Sequence, residues 1–310
     1  MLAPSRSPPH SSPVTLWIES AHRPAHGVAA AHRSLHNLFA WCLRTHGLGL
    51  HDLGLSVTSL GFDLCVFDLL GLPGYGAGVY IADDAQRRDP ELLLDVLLRE
   101  PVTYWNSAPI TLAHLVPLLG EHRGGAGTGD LRLVYLSGDY TPLTLPDEVR
   151  SVFTGATIVS LGGATEATIW SNWFRVGAVD PAWRSIPYGR PIDNAQYWVV
   201  DEDLRPCPVG VPGDLLIDGD VLAVGYYGQP ELTRQRFIPD TLGTRPARPA
   251  LPHRRPGEFR PRRRADLPRP GRRAGQDPWH PGGAGRGRAS PARARERAGG
   301  GGAGPAGPGR

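Results

Sequence analysis

VTYWNSA (102–108) is the first of three short apolar runs that decide the fold, and LRLVYLSGD (131–139) and ATIVSLGG (156–163) follow it. Each run has the length and composition of a strand. Leu-rich residues near 109–119 and the segment 145–153 separate the runs and predict helices. Because strands that alternate with helices imply right-handed crossovers, we expect an α/β fold with a mainly parallel sheet and flanking helices.

The pattern changes after residue 180, where the elements become shorter. Residues 195–210 (AQYWVVDEDLRPCPVG) predict a strand, a turn and a return. Residues 211–220 (VPGDLLIDGD) predict another strand between turns. We therefore expect a small β-rich subdomain packed on the α/β body.

Composition divides the chain near residue 240. Residues 1–240 carry 16 Arg against 26 acidic residues, a formal −10, and residues 241–310 carry 17 Arg against 4, a formal +13; these sum to the net +3. Residues 241–310 contain few large apolar side chains, so they bury too little surface to offset about 1–2 kcal/mol of backbone entropy per residue. We predict a degenerate or disordered N-terminus (1–30), a packed body (31–240) and a disordered basic tail (241–310).

The cysteines and the hydropathy pattern indicate the compartment. Cys42, Cys65 and Cys207 are odd in number and form no CxxC pair, which argues against a disulfide framework or a zinc site and fits a reducing environment. The N-terminus lacks a signal-peptide pattern, and no apolar run approaches 18 residues. We expect a cytoplasmic protein without a membrane span.

Polar and Gly-rich segments follow the predicted strands: NSAP (106–109), SGD (137–139) and GGATE (162–166). In open α/β sheets, ligands bind in the crevice beyond the carboxyl ends of the strands. The sequence therefore predicts a ligand site at this edge of the sheet.

The segment VPGDLLIDGDVLAVGYYGQPELTRQRFIPD (211–240) identifies a family. It resembles the signature GEL-x-I-x-G-x-x-LA-x-GY, RPELT and RF of adenylation domains in the acyl-adenylate-forming superfamily, of the nonribosomal peptide synthetase type. The resemblance implies ATP- and Mg²⁺-dependent formation of aminoacyl-AMP. It also implies transfer of the acyl group to the phosphopantetheine thiol of a carrier protein.

A second matching segment, SLGGATEATIWSN (160–172), resembles the nucleotide-binding loop of that family. Glycines allow a flat base to approach the backbone closely, because they lack Cβ. Thr165 offers a hydroxyl to a phosphate, and Glu166 offers a hard oxygen ligand for Mg²⁺, so both are catalytic candidates. The resemblance assigns nucleotide binding to Gly162, Gly163, Ala164 and Thr165. The alternative is a Gly-rich turn with Thr and Glu at a helix start.

The third matching segment, LSVTSLGFDLCVFDLLG (55–71), resembles the family's FD-x-S segment. There an Asp pairs with the α-ammonium of the substrate, and Asp63 takes that position here. A carboxylate at a pocket floor is costly without an opposite charge, so it favours a zwitterionic amino acid. The alternative role for Asp63 is a helix cap.

The resemblance also implies the remaining pocket lining. It comprises Asp63, Leu64, Phe67, Asn106, Tyr135, Ser137, Leu161, Ile169 and Trp170. This set is similar to the lining of cysteine-activating domains and departs from it mainly at Phe67 and Tyr135. The set shares its final Leu-Ile-Trp with some glycine-activating pockets, but Asn106 and Ser137 suit a cysteine side chain better. The alternative for the Leu, Ile and Trp is an ordinary core position.

Parts of the family's ATP machinery are missing. The phosphate loop should precede AHRSLHNLFAW (31–41), yet LWIESAHRPAHGV (16–28) stands there and keeps only Gly27. Without consecutive glycines, the backbone N–H groups form no cradle for a triphosphate. The chain contains no lysine, so it lacks the family's catalytic Lys as well. We expect an inactive fragment, and frameshifts near residues 30 and 241 are a hypothesis that translation of the coding DNA in all frames tests.

Two other functions stay open. The first is a non-catalytic protein that binds an amino acid or an adenylate in the surviving pocket. The second is nucleic-acid binding through the basic tail, since Arg-rich segments attract phosphates. Only Phe259 and Trp279 are available there to stack on bases, which argues against specific nucleic-acid recognition.

Overall fold

The computed structural model describes residues 13–20, 23–120, 129–239, 249–257, 259–260 and 264–265. The described chain begins with an antiparallel pair of strands, β1 (Pro13–Ser20) and β2 (Arg23–Ala31), and continues into helix α1 (His32–His46). A left-handed Gly47 ends α1, as is common at helix C-termini.

The central sheet contains seven strands of the described chain. They are β3 (Leu53–Ser56), β4 (Gly78–Ile81), β5 (Tyr104–Ser107), β6 (Leu133–Leu136), β7 (Thr157–Gly162), β8 (Asn172–Val176) and β9 (Arg190–Pro191). Their order is β4-β3-β5-β6-β7-β8-β9; the first five run parallel, β8 pairs antiparallel with β7, and β9 pairs antiparallel with β8. The three runs at 102–163 form β5, β6 and β7, so the predicted α/β class is confirmed.

Short helices connect these strands. They are α2 (Leu64–Val66), α3 (Leu72–Gly74), α4 (Asp84–Arg88), α5 (Pro90–Arg99), α6 (Pro109–Ala113), α7 (Val116–Leu119) and α8 (Leu145–Arg150), followed later by α9 (Pro230–Arg236). A π-helical turn, Phe67–Gly71, joins α2 to α3, and a 3₁₀ turn, Thr165–Ala167, follows β7. Within the described residues, no helix is both long and apolar enough to cross a membrane.

Smaller antiparallel sheets follow the central one. Their strands are β10 (Ala195–Val200), β11 (Gly213–Gly219), β12 (Gly225–Tyr226), β13 (Ile238–Pro239), β14 (Pro249–Gly257), β15 (Phe259–Arg260) and β16 (Arg264–Ala265). One sheet has the order β10-β11-β14-β13, a second is β1-β2-β12, and β15 pairs with β16. The expected β-rich part is therefore present, and it includes the strands predicted in 195–220.

The division at residues 30 and 240 stays a prediction. Val28 and Ala30 of β2 are fully buried, so the end of the 1–30 segment packs with the body. Ala250 and Leu251 of β14 lie inside the predicted tail and are also buried. Leu251 pairs with β11, and Ala250 pairs with β13. Burial of these two apolar side chains favours an ordered strand at this point of an Arg- and Pro-rich sequence. Most of the tail lies outside the described residues.

Two hydrophobic cores lie on opposite faces of the central sheet. Successive residues of a strand point to opposite faces, and β5 shows this directly. Tyr104 belongs to the core that also contains Phe67, Tyr135 and Trp170, whereas Trp105 belongs to the other core. The candidate pocket residues lie on the Tyr104 side.

Candidate functional site

Asp63 lies at the start of α2, just beyond the carboxyl end of β3. Its carboxylate is buried and accepts a 2.5 Å hydrogen bond from the Thr165 hydroxyl. Burial raises the pKa of Asp63 to about 6, the Thr165 hydrogen bond opposes this, and the nearby negative charge of Glu166 adds to it. The Asp63 side chain makes no capping hydrogen bond to α2, which does not support the alternative role as a cap.

Glu166 connects two segments that the sequence singled out separately. Its carboxylate accepts a hydrogen bond from the Tyr226 hydroxyl, and its backbone carbonyl accepts one of 2.8 Å from Ala223 N–H. Tyr226 and Ala223 both belong to the 211–240 signature. Thr165 and Glu166 are neighbours in the chain but have different partners. Thr165 contacts Asp63, and Glu166 contacts the 211–240 signature segment.

The predicted lining residues lie in one buried group beside Asp63. The Phe67 and Trp170 rings are 5.3 Å apart between centroids, and Tyr135 and Trp170 are also 5.3 Å apart. Trp170 Nε1 donates a 2.9 Å hydrogen bond to Ser137 Oγ. Leu64, Asn106, Leu161 and Ile169 are likewise buried. The structure thus brings the set together, while the substrate-binding role of each member stays a prediction.

Large aromatic side chains occupy the space within this group. Phe67 and Tyr135, the two positions that depart from the cysteine-type lining, are fully buried, and Trp170 is 1 % exposed. These side chains pack against the core, so a ligand that enters beside Asp63 must displace ring atoms. The alternative of ordinary core positions for Leu161, Ile169 and Trp170 therefore remains compatible with the packing.

An open crevice lies nearby at the carboxyl ends of β6 and β7. It is lined by Gly138, Asp139, Tyr140, Thr141, Ser160, Leu161, Gly162, Gly163, Ile186, Pro187 and Tyr188. This is the edge of the sheet at which strand order predicted a ligand site. Ala164 lies between these glycines and the 3₁₀ turn and is partly exposed.

The two glycines of this crevice have a packing reason of their own. A Cβ on Gly162 would lie 2.3 Å from the Tyr188 ring, and one on Gly163 would lie 2.5 Å from the Ile169 carbonyl oxygen. Glycine is thus required by contacts within the chain, in addition to any close approach of a base. Nucleotide binding by these residues stays a prediction.

Sequence reasoning missed several features that surround these residues. Thr168 and Ile169 adopt left-handed backbone conformations, with φ of 55° and 67°, which β-branched residues rarely adopt. Such strain concentrates at functional sites. Asp68 and Tyr188 were not singled out either, although one contacts Asn106 and the other lines the crevice. No local sequence pattern indicates these contacts.

The strand pairing at the N-terminal end of the described chain does not fit a triphosphate-binding loop. In place of a Gly-rich loop, β1 and β2 pair from Pro13–Ala31 to Ser20–Arg23, and β2 also pairs with β12, so many backbone N–H groups bond within strands. Within the described ranges, no group of three His, Cys, Asp or Glu side chains is arranged to hold a metal ion. Glu166 is the carboxylate that the sequence predicts for Mg²⁺.

The fold is that of an α/β protein with a crevice at the carboxyl edge of a parallel sheet. The chain belongs to the family of AMP-binding enzymes, which it matches over residues 25–227. Its relatives include adenylation domains of nonribosomal peptide synthetases, so the resemblance found in the sequence is confirmed.

Two curated relatives illustrate the extent of the match. Pyochelin synthetase PchE of Pseudomonas aeruginosa is 38% identical over 244 residues, which are 78% of this chain and 17% of that protein. The anguibactin system regulator of Vibrio anguillarum is 35% identical over 239 residues, which are 76% of this chain and 23% of that protein. The chain therefore spans less than a quarter of these relatives.

Solved structures show the same relationship. The nonribosomal peptide synthetase FmoA3 superposes with a TM-score of 0.75 at 34% identity, over 82% of this chain and 26% of that chain. Its α-methyl-L-serine-AMP-bound form gives a TM-score of 0.76 at 33% identity, over 83% of this chain and 29% of that one. An AMPPNP-bound form of FmoA3 has also been solved.

Proposed function

We propose that this chain is part of an amino-acid adenylation domain that binds an amino acid and the AMP portion of ATP, but does not complete activation as it stands. The observation that carries this proposal is the hydrogen bond from Thr165 to Asp63. It links the segment that resembles the nucleotide loop to the carboxylate that resembles the substrate anchor.

Asp63 holds the amino acid in this proposal. Its carboxylate is buried, so a substrate ammonium group placed beside it neutralises a charge that burial disfavours. A pKa of about 6 leaves the carboxyl mostly ionised at pH 7 and able to pair. The Thr165 hydroxyl already orients one carboxylate oxygen of Asp63.

The crevice at Gly138 and Gly162 holds the nucleotide in this proposal, with Thr165 toward the phosphate and Glu166 toward Mg²⁺. When bound, ATP and Mg²⁺ supply an electrophilic phosphorus and a pyrophosphate leaving group. This chain's own residues bind and orient the reactants, but the paired strands at 13–31 offer no cradle for the leaving group. We therefore expect binding without turnover.

Cysteine is the amino acid that we propose. Asn106 and Ser137 supply polar groups among the aromatic and aliphatic lining residues, and both are buried. PchE carries the name pyochelin synthetase, and FmoA3 binds the adenylate of α-methyl-L-serine, a small polar amino acid. In the whole protein of which this domain type forms part, we propose a carrier-protein thiol as the acyl acceptor.

Calorimetry and ATP–pyrophosphate exchange test the proposal. We expect the purified chain to bind AMP, to bind cysteine in the presence of AMP, and to show cysteine-dependent exchange at background. Asp63→Asn should abolish cysteine binding and retain AMP binding, whereas Asp203→Asn, at an exposed carboxylate, should change neither.

Two results would overturn the proposal. Robust cysteine-dependent exchange would show that the chain is active despite the missing loop. A folded chain that binds neither AMP nor cysteine would remove the binding function, including a non-catalytic role.

A further inference from the structure

Buried polar atoms without a hydrogen-bond partner collect behind the predicted pocket lining. Within the described residues they include Asp68 Oδ2, Asn106 Oδ1 and the Tyr104 hydroxyl. Each of these side chains is at most 1 % exposed. Unpartnered buried polar groups are rare in folded proteins, and each calls for a specific explanation.

Asp68 and Asn106 form one connected unit. Asn106 Nδ2 donates a 2.9 Å hydrogen bond to Asp68 Oδ1 and a 3.2 Å hydrogen bond to the Leu64 carbonyl. The Asn106 amide group is therefore fixed with its oxygen pointing elsewhere. Asp68 directly follows Phe67, a predicted lining residue, in the π-helical turn. Asn106 is itself a predicted lining residue, so the Asp68–Asn106 unit adjoins the predicted lining.

The neighbours of this unit are aromatic. Phe67 contacts Tyr104 with ring centroids 5.8 Å apart and Tyr135 with centroids 6.2 Å apart. Burial raises the pKa of Asp68 to about 8, and the Asn106 hydrogen bond opposes that rise. At neutral pH the carboxyl is therefore mostly protonated. It is a neutral polar group with one oxygen unused.

We propose that Asp68 is a further specificity-determining residue of the amino-acid pocket. With Asn106 it recognises a short substrate side chain that ends in a neutral hydrogen-bond donor, a thiol or a hydroxyl. The inference rests on the proposed amino-acid binding. A thiol or hydroxyl both donates and accepts, so it can donate to Asn106 Oδ1 and accept from the protonated Oδ2 of Asp68, which are otherwise buried and unpartnered.

The aromatic lining restricts the length and charge of that side chain. Phe67 and Tyr135 are fully buried, so any side chain that enters must displace ring atoms, and a small group displaces the fewest. An ammonium group would lose its hydration among these rings, which is costly without an ionised partner. A methyl group of equal size would require the same displacement but would leave the polar oxygens unpaired.

The test compares near-isosteric amino acids by calorimetry, with AMP present. In L-2-aminobutyrate a methyl group replaces the thiol of cysteine, so the pair isolates the donor. We expect the unaltered chain to bind cysteine about 2- to 10-fold more tightly than L-2-aminobutyrate, the effect of one net hydrogen bond. Asp68→Leu should abolish that preference and retain AMP binding, whereas Asp68→Asn, which keeps both donor and acceptor atoms, should preserve it.

Each outcome decides a specific question. Equal binding of the two amino acids by the unaltered chain, or an unchanged preference in folded Asp68→Leu, overturns the inference but leaves the proposed function standing. Binding of AMP with neither amino acid overturns both. If Asp68→Leu does not fold, Asp68→Ala carries the same comparison because it removes the carboxyl without adding apolar volume.

Discussion

The hydroxyl of Thr165 donates a 2.5 Å hydrogen bond to Oδ2 of Asp63, although 102 positions separate the two residues in the chain. The bond joins the segment after β3 to the segment after β7. Parallel strands bring such distant segments together, because their carboxyl ends meet at the same edge of the sheet. The Asp63 carboxylate is buried, so loss of this bond is expected to lower the stability of the fold.

Thr165→Val should destabilise the folded chain by about 1–3 kcal/mol, because the substitution leaves a buried carboxylate without its donor. Urea denaturation at pH 7.5 measures the change. Thr165→Ser keeps the hydroxyl and is the matched control. Equal free energies of unfolding for the Val and Ser variants would contradict this role for the bond.

Asp68→Asn should flatten the dependence of stability on pH. The folded-state pKa of Asp68 is raised from 3.8 to about 8, so the folded chain retains a proton that the unfolded chain releases. The free energy of unfolding therefore falls as pH rises from about 4 to 8, by up to about 1.4 kcal/mol per pH unit from this group. Asp63 contributes in the same direction, but only up to about pH 6.

Urea denaturation between pH 6 and 8 separates these two contributions. The unaltered chain should lose stability across this interval, and Asp68→Asn should lose much less. Asp203→Asn replaces an exposed carboxylate and serves as the control. A pH dependence as steep in Asp68→Asn as in the unaltered chain would show that another group causes it.

Arg132→Ala should destabilise the chain by about 2–3 kcal/mol, since it removes the partner of a buried carboxylate. Arg132 donates to both oxygens of Asp52, at 2.8 and 2.7 Å, and also to the carbonyl of His46. The Asp52 side chain is 4% exposed. Arg99→Ala breaks the exposed pair with Asp95 and should cost about 0–1 kcal/mol in the same thermal or urea experiment. Similar losses for the two variants would contradict the prediction.

Gly162→Ala should weaken AMP binding and destabilise the chain by about 1–3 kcal/mol, the range for overpacking a core position. The new Cβ would lie 2.3 Å from the Tyr188 ring and 2.7 Å from Asn172 Oδ1, so Tyr188 must shift at the edge of the crevice. Gly155→Ala adds a Cβ with no atom within 4 Å and should change neither property. Calorimetry with AMP and urea denaturation measure both effects.

The parallel strands were predictable because each one is a continuous apolar run. All four residues of β5 and of β6 are buried, as is typical of central strands that are covered on both faces. The pairing of β14 with β11 was not predictable from local sequence. Its residues are rich in Arg and Pro, and its partner strand lies more than 30 residues earlier.

The candidate site was predictable to the extent that strand ends and family motifs fix it. Asp63, Thr165 and Glu166 follow strands β3 and β7, and their proximity follows from the parallel order. The contact of Asp68 with Asn106 depends instead on how a π-helical turn packs over β5. The left-handed Ile169 likewise reflects packing between distant segments, and neither feature has a local sequence signal.

The pairing of β2 with β12 has a consequence for synthesis on the ribosome. Val28 and Ala29 pair with Tyr226 and Gly225, so the partner of β2 leaves the ribosome about 200 residues later. At typical translation rates this delay is on the order of 10–40 s. During that interval, the edge of β2 that later pairs with β12 has no partner strand, and an unpaired strand edge can pair with another chain. A chain that ends before residue 225 would never form this pairing.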